Sequence, residues 1–388
     1  MRRDHPLERN ITIAYVRAFI SNLAFFLPVM TLFFQQVVDS VTLVALIFSI
    51  QAITSIVFEI PTGAFADLFG RRKTLIIQSF LTIISITLLA FSTNFLMLAI
   101  FSFIFALKNA LGSGTDQAIL YDTLKQLKRD GEYKKIRGRL TTLTYSGAIV
   151  GSVAGGFMAG YFIRLPFLLT IPLTLVILVL SFLWIEPEYK KEIHTNIVKH
   201  AYSSFKILLS NKQLSLLFLF SLFSFGIAES AYHLEQIFFA FVNLPIAYFG
   251  IAAAAGSLMG VFGSLISHNL SERFGDKRTL IFSKILDGLM ILLATVFLGY
   301  IGIVLLVIVS FFRSIGSPIL DHLLNKEIES KNRATILSMN NLLNNAGYML
   351  FAPLIGYVAD LYSIATSFKI SGILLMLTTG FLFFIKKD

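Results

Sequence analysis

A polar stripe interrupts an otherwise apolar stretch between Gly226 and Gln236. In a helix, Glu229, His233 and Gln236 share one face because they stand four and three residues apart, whereas Glu235 projects elsewhere. A carboxylate beside an imidazole in a partly dry setting can take up and release a proton near physiological pH. We therefore expect Glu229 to carry a proton that His233 tunes. The alternative is a mutually satisfied pair that only holds helices together.

Two cations also lie deep within long apolar runs, where an unpaired charge costs several kcal/mol. Lys108 and Arg313 could both face a cavity between helices and attract an anionic solute. Alternatively, each is neutralised by a carboxylate such as Asp116, Asp321 or Glu229. Both interpretations stay open on the sequence alone.

Three further ionisable residues have local explanations. Glu59 lies just before Pro61, so it either supports a helix kink or takes part in proton coupling. Lys284 and Asp287 stand three residues apart, and this spacing predicts an ion pair on one helix face. The proton-binding candidates are then Glu229, His233, Asp116 and Glu59, and the candidates for lining a substrate cavity are Lys108, Arg313 and Gln236.

The elements that position these residues are membrane-spanning helices. Of 388 residues, 56% are hydrophobic and only 14% are charged, which is more apolar surface than a soluble core can bury. The uncharged run 167–185 has roughly the 20 residues that a helix needs to cross hydrocarbon. The apolar runs predict an all-α membrane protein with twelve transmembrane helices, near 11–37, 41–66, 74–92, 95–121, 139–163, 165–185, 213–241, 246–268, 279–298, 302–324, 334–360 and 363–385.

Basic residues indicate the orientation of these spans. Most of the 32 Lys and Arg residues fall in alternate loops, and the positive-inside rule then places both termini in the cytoplasm. We expect a multi-pass protein of the cell membrane whose basic belt faces anionic lipid. A nucleic-acid partner is not expected, because the positive charge is divided among short loops.

The chain carries an internal repeat. The segment 67–75 reads DLFGRRKTL and the segment 272–280 reads ERFGDKRTL, an offset of 205 residues (from 67 to 272). The same offset carries Lys108 onto Arg313. These matches predict two pseudo-symmetric six-helix bundles, at 1–185 and 213–388, joined by a polar cytoplasmic linker at 186–212.

The first copy, with Gly63, Asp67, Gly70, Arg71 and Arg72, resembles the loop signature of the major facilitator superfamily. The resemblance implies that fold and a transport function, and it implies that Asp67 helps to hold the two halves together in one state. The expected conformational gate comprises the five residues just named and, from the second copy, Glu272, Arg273 and Gly275.

A second resemblance concerns glycines of the fifth predicted span. Gly147, Gly151, Gly155 and Gly156 are spaced as in the antiporter signature of drug:proton exporters from this superfamily. Such glycines form a groove for close helix contact and a site of easy bending. Ordinary helix packing with no bearing on transport direction is the alternative.

Together these features predict a secondary transporter that moves a small solute by alternating access, with protons as the driving partner and drug export as the expected direction. An importer of a nutrient or organic anion is one alternative, and a sensor or scaffold without turnover is another. Enzyme signatures such as Gly-x-Ser-x-Gly and His-Glu-x-x-His are absent from the sequence. Because the chain has 0 Cys and its His residues form no cluster with metal-ligand spacing, we expect no cofactor or metal. The expected oligomeric state is a monomer.

Overall fold

The computed structural model describes residues 6–188, 211–328 and 333–385. Within these ranges, the regular elements are α-helices and short 3-10 turns. Ten of the described helices are long and apolar enough to cross a membrane, and a shorter apolar helical segment covers Leu27–Val38. The predicted all-α membrane fold is confirmed.

In chain order the α-helices are α1 (Glu8–Ile20), α2 (Met30–Val38), α3 (Val41–Phe69), α4 (Arg71–Ala90), α5 (Phe95–Gly112), α6 (Thr115–Gln126), α7 (Tyr133–Tyr161), α8 (Leu165–Leu183), α9 (Lys212–Phe241), α10 (Phe249–Phe274), α11 (Asp276–Val296), α12 (Tyr300–Lys326), α13 (Arg333–Leu361), α14 (Ile364–Thr378) and α15 (Gly380–Phe383).

The first predicted span, 11–37, is not the continuous helix that the apolar run suggested. Helix α1 ends at Ile20 and α2 begins at Met30, with a 3-10 turn at Leu27–Val29 between them. Pro28 occupies the first turn of that element, where its missing N–H is tolerated. The break leaves the first N–H groups of α2 without partners inside their own helix.

The fourth predicted span, 95–121, is also interrupted. Helix α5 ends at Gly112, and Gly114 adopts a left-handed conformation with φ of 75° before α6 begins at Thr115. A helix cannot continue through such a residue. By contrast, α7 is one unbroken helix of 29 residues; its many glycine, serine and threonine residues make it less apolar than the ten spans above.

The two copies of the repeat have the same local backbone. Helix α3 ends at Phe69 and α10 ends at Phe274, each directly before a glycine that precedes the next helix. Gly70 has φ of 100° and Gly275 has φ of 83°, a region that favours glycine because it lacks a Cβ atom. The sequence repeat therefore corresponds to a structural repeat at these turns.

The chain divides into two compact units. The first unit comprises Met1–Met30, Thr54–His194 and Ile246–Ile251, and the second comprises Thr31–Ile53, Thr195–Pro245 and Ala252–Asp388. Each unit has its own apolar core, and Trp184 is buried in that of the first. Of the predicted linker 186–212, residues 189–210 lie outside the described ranges.

Candidate functional site

Arg17 on α1 is the centre of a polar cluster inside the first unit. Its side chain is only 8% exposed, and Nη1 donates to Ser181 Oγ at 2.6 Å and to Ser79 Oγ at 3.3 Å. Nη2 donates to Gln78 Oε1 at 2.7 Å, and Nε lies 3.4 Å from Asp116 Oδ1. Side chains from three helices, α4, α6 and α8, thus meet the guanidinium of α1. We call the five residues Arg17, Gln78, Ser79, Asp116 and Ser181 the first-unit cluster.

Lys108 does not form the ion pair that one interpretation of the sequence suggested. Its Nζ lies 4.2 Å from the ring centroid of Phe105, one turn away on α5, and Asp116 is paired with Arg17 instead. A cation over an aromatic face is stabilised by the ring quadrupole. The Lys108 ammonium therefore lies against an aromatic face and not against a described carboxylate.

A second polar cluster lies inside the second unit, around Asp287 on α11. Asp287 is fully buried, at 0% exposed, and its Oδ2 lies 3.2 Å from Lys284 Nζ and 3.8 Å from Arg313 Nε. The predicted pairing of Lys284 with Asp287 is confirmed by this geometry. Arg313 also donates from Nη2 to Ala228 O at 3.2 Å, which connects α12 to α9 one residue from Glu229.

Glu229 and His233 meet on α9, as their spacing predicted. Glu229 Oε1 lies 3.4 Å from His233 Nε2, and both side chains are about one-quarter to one-third exposed, at 30% and 26%. The imidazole lies between two aromatic rings, with centroid distances of 4.2 Å to Phe48 and 5.3 Å to Tyr348. We call Glu229, His233, Lys284, Asp287 and Arg313 the second-unit cluster.

Gln236 and Glu59 have different surroundings from the Glu229–His233 and Lys284–Asp287 pairs. Gln236 Oε1 accepts from the backbone N–H groups of Thr31 at 2.8 Å and Leu32 at 3.3 Å, so this oxygen is used in a helix contact. The Glu59 carboxylate has no hydrogen bond or ion pair among the described residues, whereas its backbone carbonyl accepts from Thr62 Oγ1 at 3.2 Å. Helix α3 continues through Pro61, and Thr62 Oγ1 donates to Phe58 O at 2.7 Å in that turn.

The loop signature of the first copy is bonded within the first unit. Arg71 pairs with Asp122, and Arg72 Nη2 donates to Phe182 O at 2.9 Å. Glu186 accepts the backbone N–H groups of Arg71 at 2.8 Å and Arg72 at 2.6 Å, so it caps α4. The surroundings of Gly63 and the side chain of Asp67 lie outside the described part of the chain.

The second copy lines a cavity of about 620 Å³. Glu272 lies 3.3 Å from His268 on the same helix turn, and the Arg273 guanidinium lies 5.4 Å from the ring centroid of Phe274. Gly275 and Asp276 complete this wall of the cavity. The two copies therefore share a backbone turn, while their described side chains have different partners.

The glycines of α7 allow two backbone segments to approach closely. A Cβ atom on Gly147 would lie 2.5 Å from Phe19 O, and one on Gly151 would lie 3.0 Å from Leu23 Cα. On Gly155 it would overlap the carbonyl of Phe25, and on Gly156 it would lie 2.7 Å from Ala247 O. These contacts match the groove interpretation, since the break between α1 and α2 lies against the glycine face. Easy bending of α7 stays a prediction.

Sequence reasoning missed several partners. Arg17 is not singled out by the sequence pattern, although Ser79 and Ser181, two small polar residues in apolar helices, are a signal for a buried polar partner. Glu186 was assigned to a linker, and Asp287 was expected to serve one cation rather than two. Across the described residues, no group of three or more His, Asp or Glu side chains is placed to hold a metal ion.

The chain matches the family model of the Major Facilitator Superfamily over residues 13–246 and 237–388. It is 24% identical to an uncharacterized MFS-type transporter of Methanocaldococcus jannaschii, covering 95% of both chains. It is also 24% identical to Multidrug resistance protein 1 of Bacillus subtilis, covering 89% of this chain and 88% of that one. Tetracycline resistance protein, class H, of Pasteurella multocida is 21% identical over 80% of this chain and 78% of its own.

A crystal structure of a mutant of the nucleoside transporter NupG is similar in fold, with a TM-score of 0.84, 14% identity, and coverage of 98% of this chain and 100% of that chain. At that identity the likeness concerns the fold alone. These matches confirm the expectation of a transporter rather than an enzyme.

Proposed function

Since the chain belongs to the major facilitator superfamily, we propose that this transporter exports small molecules in exchange for protons, with Glu229 carrying the proton. The observation that carries the proposal is the Glu229–His233 contact of 3.4 Å on α9, between partly exposed side chains. A carboxylate in this setting binds a proton reversibly, and a neighbouring imidazole adjusts the pH at which it does so.

The surroundings of Glu229 support a coupling role. Arg313 contacts Ala228 O and lies near Asp287, so a fixed cation stands beside the position where Glu229 gains or loses charge. When Glu229 is protonated, this cation has one fewer negative neighbour. Proton binding therefore changes the charge balance of the second-unit cluster, and a changed charge balance is what can bias two transport states.

The direction of transport is proposed from the relatives. Multidrug resistance protein 1 and Tetracycline resistance protein, class H, match most of this chain, and resistance is the property in their names. An importer of an organic anion is the second candidate, and Lys108 favours it because no described carboxylate pairs with this cation. If the protein imports an organic anion, replacing Lys108 with Gln should weaken the binding of anionic ligands more than that of neutral ligands. If Lys108 has only a structural role, the binding of both kinds of ligand should weaken equally.

We further propose that the protein is a monomer in the cell membrane and that both of its termini lie in the cytoplasm. Its two helix bundles are proposed at 1–185 and 213–388, joined by a linker at 186–212. The basic loops support this orientation. Asp67 is proposed to stabilise one transport state through the loop signature. Asp67→Asn should insert normally and transport slowly; turnover equal to that of the unaltered protein, at matched amounts in the membrane, would remove this role.

The coupling proposal is tested with purified protein in liposomes. A thermal-shift screen against drugs, sugars, amino acids and organic anions first finds a ligand, because a ligand that binds only the folded state raises its stability. Ligand flux under an imposed pH gradient is then measured for Glu229→Gln and for Glu235→Gln, a matched change on the same helix.

Glu229→Gln should abolish gradient-driven accumulation, keep ligand binding and exchange, and flatten the pH dependence of transport. Glu235→Gln should still accumulate ligand. If Glu229→Gln accumulates ligand under the gradient, the coupling carboxylate lies elsewhere, with Asp116 or Glu59 as the next candidates.

A further inference from the structure

We propose that Gln236 and Asp360 form a two-point latch that holds the segment Thr31–Ile53 over the Glu229–His233 pair, so that release of the latch uncovers the pair. The latch itself is independent of the proposed function, whereas its consequence for proton access rests on that function. Both contacts lie within the second unit.

The first point of the latch is at the start of α2. Because α2 begins just after the break that follows α1, N–H groups of its first turn lack acceptors within α2 itself. Gln236 Oε1 accepts two of them, from Thr31 at 2.8 Å and from Leu32 at 3.3 Å. A side chain on α9 therefore serves as the N-terminal cap of a helix about 200 residues earlier in the chain.

The second point is at the start of α3. Asp360, at the end of α13, accepts four hydrogen bonds with its two carboxylate oxygens. Oδ1 accepts from Val41 N at 2.7 Å, and Oδ2 accepts from Thr42 N at 2.9 Å, Thr42 Oγ1 at 2.6 Å and Ser40 Oγ at 2.7 Å. A carboxylate at this position also interacts favourably with the positive end of the helix dipole. Asp360 is therefore the stronger of the two points.

From the second point onward, α3 packs closely against α13 and α9. A Cβ atom on Gly356, one turn before Asp360, would lie 2.8 Å from Val41 O. Deeper along α3, Ser49 Oγ lies 3.4 Å from Met349 O. Phe48 is 1% exposed and its ring covers the His233 imidazole at 4.2 Å. Movement of α3 away from α9 and α13 would therefore remove Phe48 from His233, which is 26% exposed in this arrangement, and would expose it further.

The chemistry of the latch suits repeated opening. Asp360 is exposed and Ser40 is partly exposed, so water can replace their hydrogen bonds when the helices separate. An apolar contact of the same size would not be exchanged for water in this way. The two caps thus set the balance between a covered and an uncovered Glu229–His233 pair without leaving a buried charge unpaired.

The chain contains 0 Cys, so a single introduced thiol is the only thiol that a maleimide can label. Ser49→Cys places a thiol under the latch, where the native side chain is 4% exposed. Its labelling rate is measured in nanodiscs, so that both faces are reachable, with and without Asp360→Asn. The matched control is Asp39→Asn, an exposed acid in the adjacent turn.

Asp360→Asn should speed the labelling of Ser49→Cys by about tenfold, the effect expected from weakening a helix cap, and Gln236→Ala should speed it less. Thr42→Val, which removes one bond and keeps the carboxylate, should give an intermediate rate even if Asp360→Asn fails to fold. Labelling at Ser371→Cys, a fully buried site on α14, should stay slow, which separates local opening from unfolding.

Rates for Asp360→Asn and Thr42→Val within twofold of that for Asp39→Asn would overturn the latch, as would equal acceleration at Ser371→Cys. None of these measurements needs a substrate or a proton gradient. A latch that behaves as expected together with a Glu229→Gln variant that still accumulates ligand would therefore reject the coupling proposal and leave the latch standing.

Discussion

A single methyl group on the glycine face of α7 should destabilise the first unit. At Gly155 an added Cβ atom would overlap the backbone carbonyl of Phe25, which belongs to the break between α1 and α2. Backbone atoms cannot move aside as the end of a flexible side chain can, so the contact must be relieved by separating the two segments. Gly138, on the same helix, has no atom within 4 Å of such a Cβ and is the matched control.

The magnitude follows from two opposing effects. Alanine in a helix interior is favoured over glycine by about 1 kcal/mol, and this gain applies to both positions. Overpacking at a close contact costs about 1–3 kcal/mol, and this cost applies only at Gly155. We therefore expect Gly155→Ala to be about 1–3 kcal/mol less stable than Gly138→Ala.

The assay is reversible unfolding in detergent micelles, followed by tryptophan fluorescence. The chain contains 1 Trp, Trp184, which is buried in the core of the same unit as α7. Its fluorescence emission therefore reports on the unit that the substitution perturbs. Equal free energies of unfolding for the two variants, or a more stable Gly155→Ala, would refute the close backbone approach.

Three further outcomes follow from the polar contacts. Asp287→Asn should cost about 3–5 kcal/mol because it leaves the buried Lys284 without its anion and removes a negative neighbour of the partly buried Arg313. Lys284→Met should cost less, and equal unfolding curves by circular dichroism would contradict this order. Hydrogen bonds from Arg129 hold the pKa of Glu132 below its usual value, so the contribution of this carboxylate to stability is present at higher pH and is lost as the pH falls through that lowered pKa. Carboxyl NMR should show the pKa rising in Arg129→Gln, and an unchanged midpoint would contradict the pairing. Arg17→Lys should lower stability by about 1–3 kcal/mol because an ammonium cannot reach the same set of acceptors, and fluorescence-detected unfolding identical to that of the unaltered protein would argue against it.

Most of the fold was predictable because the bilayer imposes a simple requirement. Long apolar runs must be helices, since lipid offers the backbone no other hydrogen-bond partners, and ten described helices meet that expectation. The breaks were harder to predict. Gly112 and Gly114 looked like part of a span, and only the left-handed backbone of Gly114 showed that two helices meet there. The break before Pro28 depends on α7, whose glycines provide space for it.

The sequence by itself determined the contacts that one helix makes with itself. Lys284 with Asp287 and Glu229 with His233 stand at helical spacing, so their pairing needs no knowledge of any other element. The repeat of the sequence likewise placed a glycine, Gly70 or Gly275, at the same position of both copies, whereas its positive φ was seen only in the structure. These features are local, and the spacing of residues along a helix is enough to predict contacts within that helix.

Only the tertiary structure decided which distant groups meet. Asp360 caps a helix that begins 319 residues earlier, and Arg17 finds Ser181 across 164 residues. Such pairings depend on the rotation, depth and crossing of packed helices, and these are set by the sum of many weak side-chain contacts. Residue spacing along the chain does not predict how helices pack against each other. The contacts of the latch and of the two polar clusters therefore followed only from the tertiary structure.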